Sequence, residues 1–195
     1  RFLSCAEFMV FKGRDMFVLR DAEYITHYPG IELDIEKLTY CSHFTDMIAD
    51  AVQEGQAFPE AVDLFLHTIL QMEKAKPEQF EGIRSLFELK LVFIMGYTPR
   101  LDECLACHQE MHEGGYFSLS EDGMVCISHK TAGACVPIDK KSLEILAYIG
   151  TTPVKQLYRL LPEKEGIKNL SALARLYVEK KMEKRYTKIQ MLHSF

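Results

Sequence analysis

The chain has 195 residues, 48% of them hydrophobic, and carries 23 Lys/Arg against 28 Asp/Glu for a formal net charge of −5. This composition describes a globular chain with material for one large core or two small ones, and it excludes intrinsic disorder and a uniformly basic nucleic-acid coat. No apolar run reaches the roughly 18 residues that a membrane-crossing helix needs, so no membrane partner is expected.

The charge is uneven along the chain. Residues 151–195 hold ten Lys/Arg and four Glu, whereas residues 1–150 hold thirteen Lys/Arg and twenty-four Asp/Glu. A basic end on an acidic body either meets an anionic partner, if its cations share a face, or is ordinary solvated helix surface. The first residue is Arg1, not Met, which leaves room for a preceding segment.

Residues 6–11 (Ala-Glu-Phe-Met-Val-Phe) read as a strand, Lys12-Gly13-Arg14-Asp15 as a polar turn and residues 16–20 as the antiparallel partner. An isolated hairpin is marginal, so it packs on helices or belongs to a larger sheet. Tyr24–Tyr28 is expected as a further short strand ended by Pro29-Gly30. From Asp34, a fair N-cap, the period turns helical: Ile35, Leu38, Cys41, Thr45, Ile48 and Val52, widened by Phe44, Met47 and Ala51, run to a stop at Gly55. A second helix runs from Pro59 to about Lys74 with Ala61, Val62, Phe65, Leu66, Ile69 and Leu70 inward. A third starts after Pro77 and ends at Gly96; it is apolar on nearly all sides over 86–95, as a central helix would be.

Next comes Cys104-Leu-Ala-Cys107, then eighteen residues, then Cys126-Ile-Ser-His129. Two chelating pairs at this separation form the spacing of a closed structural zinc site, the two intervening residues letting a tight turn aim both side chains at one point. Gly114-Gly115, Tyr116, Phe117, Leu119 and Asp122-Gly123 predict a β-hairpin between the pairs. Free core thiols, a redox pair and a catalytic zinc are the alternatives. A redox pair leaves the second pair unexplained, and a catalytic zinc keeps one position open. Cys135, His108 and His112 compete with His129 for the fourth corner, and His129 repeats the spacing of the first pair. Cys5 and Cys41 read as inert core thiols.

After a loop over Thr131–Pro137, Asp139 caps a helix with Leu143, Ile145, Leu146 and Ile149; a short helix follows Pro153, and a last one covers about 168–188 with Leu170, Leu173, Leu176 and Tyr177 inward. A helix-turn-helix over 142–161 lacks base-reading Arg, Asn or Gln on its second element. No linker or repeat separates the helical parts, so they are expected to form one bundle.

No phosphate-cradling glycine loop and no nucleophile constellation is present, so no enzymatic function is expected. Two basic groups suit phosphates: Lys12 and Arg14 at the hairpin tip, and Lys180, Lys181, Lys184, Arg185 and Lys188. The last four of these share a face if the helix runs that far.

The segment from Phe87 to Cys107, with Gly96-Tyr97-Thr98-Pro99, Leu101 and the first Cys pair, resembles the junction of helical domain and zinc module in the bacterial RecO family of DNA repair proteins. Tyr116–Leu119 and Gly123–Cys126 fit that family's ribbon. Ala6–Phe8, Lys12–Arg14 and Ile35–Tyr40 resemble its last OB-fold strands and first helix. The family's usual fourth ligand is Cys, and His129 stands there in this chain.

The resemblance implies an α+β fold, mainly an α-helical bundle with an inserted zinc-ribbon-like module, preceded by the last strands of a partial OB-fold. Its expected divisions are 1–30 for the strands, 31–100 and 136–195 for the two parts of the helical domain, and 101–135 for the zinc module. It further implies one structural Zn²⁺ and a non-enzymatic, cytoplasmic and nucleoid-associated bacterial mediator. Such a protein binds and anneals single- and double-stranded DNA and acts with RecR and single-stranded-DNA-binding protein to load RecA. The rival expectation is a zinc-stabilised helical scaffold for protein partners; a zinc-dependent hydrolase is disfavoured by the closed ligand set.

Overall fold

The computed structural model describes residues 3–52, 55–131, 135–162 and 164–192. Strands β1 (Cys5–Lys12) and β2 (Phe17–Thr26) form an antiparallel ribbon, with register shifts between Cys5 and Ala6 and between Met9 and Val10. These bulges let β2 run on through Tyr24–Thr26, so the separate third strand expected there is part of β2. Both ribbon faces are open: Phe8, Phe11, Phe17, Leu19 and Ile25 are each at least half exposed. Pro29-Gly30 does not simply end a strand but opens the four-residue helix α1 (Pro29–Glu32).

Helix α2 (Ile35–Ala51) starts where Asp34 accepts hydrogen bonds from the backbone N–H of Glu36 (2.9 Å) and Lys37 (3.1 Å). It ends at Val52, short of Gly55. Its buried face runs through Tyr40, Cys41, His43, Phe44 and Met47, while Ile35 is 74% exposed. Helix α3 (Pro59–Lys74) has the expected bounds but a rotated face. Leu64, Thr68, Ile69 and Met72 are buried, and Val62, Leu66 and Leu70 lie outside. In both helices the stripe read from hydrophobicity is offset because the neighbour each one packs on, not its own periodicity, selects the face.

A 3-10 turn (Pro77–Gln79) leads into α4 (Phe80–Ile94), which is buried from Phe80 to Phe93 except at Glu81 and stops at Gly96, φ +98°. This central helix packs on α2, α3 and on the returning helices α5 (Lys140–Thr151) and α6 (Lys164–Met182), so the segments before and after the cysteine module make one bundle. The 3-10 segment Val154–Arg159 packs on α3, and the short α7 (Lys188–Leu192) packs on α2.

The module itself is a three-stranded antiparallel sheet, ordered β4 (Gly123–Val125), β3 (Gly114–Ser118), β5 (Cys135–Asp139). Cys135–Pro137 are thus strand, not the expected loop, because β5 pairs along its length with β3; residues 132–134 of that loop lie outside the described residues. Gly114 needs its left-handed φ of +93° and its missing Cβ, which would otherwise sit 2.3 Å from the Ile138 carbonyl oxygen. Asp139 closes β5 and caps α5, accepting from the backbone N–H of Ser142 at 2.7 Å. The molecule is α+β and mainly helical. Among the described residues, no helix is long and apolar enough to cross a membrane.

Candidate metal centre and nucleic-acid interface

Two backbone knuckles converge at the end of the β3–β4 ribbon. In the first, the N–H of His108 donates to the Cys104 carbonyl (2.8 Å) and the N–H of Cys104 to the Gln109 carbonyl (2.8 Å). The reversal is completed by His108 at φ +59°. In the second, the N–H of His129 donates to the Cys126 carbonyl (3.0 Å) across the 3-10 turn Ile127–His129. The N–H of Leu105 donates to the Met124 carbonyl (2.9 Å) and the N–H of Cys126 to the Cys104 sulfur (3.3 Å), locking the knuckles together.

The ligand atoms of Cys104, Cys107, Cys126 and His129 all lie within 4.8 Å of one another. Cys107 Sγ is 4.0 Å from Cys126 Sγ, Cys104 Sγ is 3.9 Å from His129 Nδ1, and Cys126 Sγ is 3.1 Å from His129 Nδ1. A tetrahedron with metal–sulfur bonds of about 2.3 Å and metal–nitrogen bonds of about 2.0 Å has edges of roughly 3.5–3.8 Å, so the four donors fit one ion with small adjustments. Burial opposes ionisation of Cys104, but backbone N–H groups of Cys126, Cys107 and Ala106 outweigh it and hold the thiol below its ordinary value. Cys126 is lowered too: against burial stand the backbone N–H of Ser128, then hydrogen bonds with the Cys104 and Cys107 side chains, then the backbone N–H of His129. Such a cage favours thiolates and can bind a metal ion.

The competitors for the fourth corner are engaged elsewhere. Cys135 Sγ is 3.6 Å from Thr131 Oγ1, His108 pairs with Glu103 at 3.1 Å, and His112 with Glu110 at 2.8 Å.

The module is seated on α6: the Phe117 ring stands edge-on to Tyr177 with centroids 5.2 Å apart, and Tyr177 Oη donates to the Tyr97 carbonyl at 2.9 Å. The basic residues of the chain's end are drawn into this seat. Helix α6 stops at Met182 and Glu183 turns the backbone at φ +52°, so the expected continuous stripe is broken. Lys180 donates to the Leu119 carbonyl, Lys181 pairs with Asp122 and lies over the Tyr97 ring, Lys184 pairs with Asp50 (2.7 Å) and Lys188 with Asp46 (2.6 Å). Arg185 is exposed on the turn between the helices. Lys12 and Arg14 stand exposed at the ribbon tip, apart from the tail.

A buried ionic cluster was not legible as such in the sequence. Arg84 donates to both Glu88 oxygens (3.1 and 3.0 Å) and to Glu81, while His43 Nε2 donates to Glu88 at 2.7 Å. Arg84 and Glu88 stand four apart in a helix whose other residues are mostly apolar, which was the available signal.

The family model described as "Recombination protein O C terminal" matches residues 32–189. The chain belongs to the RecO family. A DNA repair protein RecO of Acetivibrio thermocellus is 28% identical over 197 residues, covering 97% of this chain and 76% of the relative. Those of Clostridium acetobutylicum (29% over 153 residues) and Alkaliphilus metalliredigens (25% over 158) cover 78% and 80% of this chain and 61% and 64% of their own lengths. The chain therefore spans about three fifths to three quarters of these RecO relatives. The resemblance read at Phe87–Cys107 holds across the helical bundle and the cysteine module.

Proposed function

We propose that this chain is the helical and zinc-binding part of a recombination mediator. In this reading it binds single- and double-stranded DNA, anneals complementary strands and, with RecR and single-stranded-DNA-binding protein, helps load RecA in the bacterial cytoplasm. The supporting observation is membership of the RecO family across residues 32–189. A single Zn²⁺ held by Cys104, Cys107, Cys126 and His129 cross-links the module. Its four protein ligands leave no open position for chemistry, in keeping with a mediator that catalyses no covalent step.

DNA contact is electrostatic and independent of sequence. Lys12 and Arg14 are its most available groups, followed by Arg185. Lys180, Lys181, Lys184 and Lys188 contribute by exchanging their own-chain partners for phosphates, at little cost for the exposed pairs because surface ion pairs contribute only about 0–1 kcal/mol.

The second reading, a zinc-stabilised scaffold that meets proteins but not DNA, draws on those same pairings: four of the five tail cations already face acceptors of the chain itself. Fluorescence anisotropy of a labelled oligothymidylate across a salt series decides between them. The mediator reading expects log affinity to fall linearly with log salt, by about 0.7 per phosphate neutralised, and the Lys12→Ala/Arg14→Ala variant to lose one to two such contacts. A salt-independent signal, or no binding at low salt, selects the scaffold.

A further inference from the structure

The groove between α3 and the 3-10 segment Val154–Arg159 has a character unlike the rest of this acidic body. It is a concavity of about 240 Å³ whose wall includes His67, Gln71, Lys74, Lys155, Tyr158 and Arg159 and no carboxylate. The other cavities described all have an acid in their lining. Lys74 and Lys155 are exposed and pair with no other described residue. This contrasts with the tail lysines, which the chain's own acceptors already occupy.

The floor of the groove is rigid. Thr68 donates to the Leu64 carbonyl (2.6 Å), which commits its hydrogen, so Tyr158 Oη donates to Thr68 Oγ1 (2.6 Å). Burial pushes the Tyr158 phenol above its ordinary value, and it stays a donor at any working pH. That bond fixes a half-buried aromatic ring between two polar rails, with Lys74 on one and Lys155 and Arg159 on the other. One rail is His67, Gln71 and Lys74, a single face of α3 at helical spacing. The other is Lys155 and Arg159 of the 3-10 segment, which both line the same groove.

We infer that this groove is a phosphate-binding subsite for the backbone of single-stranded DNA, with Tyr158 offering a face for a base. The inference rests on the DNA-binding reading above and adds a place to it. His67 and Lys74 lie about 10 Å apart along the helix axis, long enough for the edge to meet more than one phosphate of a strand. Cations that track a backbone beside an aromatic platform are the general means of sequence-tolerant single-strand binding. A lone phosphate ion would need convergent donors at one point, whereas here the donors are strung along two edges.

The test uses the full chain and the triple variant Lys74→Gln/Lys155→Gln/Arg159→Gln, all exposed positions, with circular dichroism melts to check that the fold is unchanged. Labelled oligothymidylate is titrated across a salt series, and an acidic peptide of matched charge is titrated in parallel. The expected result is weaker oligonucleotide binding at low salt and a salt slope smaller by about 2, three contacts at about 0.7 each. Wild-type binding that is unchanged in the triple variant overturns the subsite and leaves the DNA-binding reading standing. No oligonucleotide binding by the wild type overturns both. Peptide binding lost in the variant, with oligonucleotide binding intact, assigns the groove to a protein partner and overturns the inference.

Discussion

Glu88 is the residue on which the centre of the bundle depends most. Its carboxylate is 2% exposed and receives Arg84 through two bonds and His43 through one. Burial opposes its ionisation, yet Arg84 and then His43 hold it below the ordinary carboxylate range. Removing the charge leaves Arg84, itself 7% exposed, with Glu81 as its remaining carboxylate partner. Leaving a buried charge uncompensated costs about 3–5 kcal/mol; with Glu81 still paired to Arg84, Glu88→Gln is expected to cost the lower part of that range and to lower the denaturation midpoint by that equivalent. A urea titration showing less than about 1 kcal/mol of loss would mean that water reaches the cluster. Lys90, two residues on, is spent differently. Its ammonium donates to the Ile149 (3.1 Å) and Thr152 (2.9 Å) carbonyls, satisfying the C-terminal end of α5 from a neighbouring helix.

At the scale of elements, the cysteine module is the part that a ligand would fasten. Its sheet is small, and its two knuckles are tied mainly by backbone bonds and sulfur contacts. We expect about one zinc per chain by metal analysis, as the four-donor set requires. Removing it by chelation, or with Cys104→Ser, is expected to cost the module several kcal/mol of local stability. Hydrogen exchange reads this directly: protection in β3, β4 and β5 should fall while α4 keeps its own. A module equally protected with and without metal would overturn the structural assignment.

Elements also mark how far the sequence could be read. Caps are local chemistry, and Asp34, Pro59, Asp139 and Gly96 sit where the residue types put them. Helix faces are not local. Val62, Leu66 and Leu70 repeat at helical spacing yet lie outside, because α2, α4 and the 3-10 segment take the opposite side of α3. The convergence of Cys104, Cys107, Cys126 and His129 into a cluster that could hold a metal was readable because chelation demands a spacing that few other functions impose. Strand β5 was not, since in sequence it is separated from its partner β3 by β4 and the second knuckle rather than by a tight turn.

Over the whole molecule, part of the charge contrast between body and tail is cancelled in space, with Lys181, Lys184 and Lys188 each paired to an acid of the body. Lys184 and Lys188 fold back onto Asp50 and Asp46 of α2, and Tyr186 donates to Asp50 at 2.7 Å. Net charge by segment therefore misstates the surface potential. These pairings also set the acid response. Against the burial that raises all three, Asp50 is held low by Lys184 and Tyr186, Asp139 by Ser142 and Asn169, and Glu88 by Arg84 and His43. A depressed folded-state value contributes stability that is complete above the unfolded carboxylate range, near pH 4, and is lost as pH falls through the lower folded values. Thermal melts are thus expected to stay level from neutrality down to about pH 5 and to drop steeply below about pH 4. A decline beginning near pH 6 would place the sensitivity in histidine instead.

The strand Cys135–Asp139 does two jobs at once, completing the module's sheet and delivering the cap of α5. The module is consequently not a detachable insert. An internal deletion of 101–135 would strip β5 of its partner, and a viable shortened chain must also take out β5 and supply a new first turn for α5. A chain lacking all four possible metal ligands would still need this strand and its terminal acid to start α5.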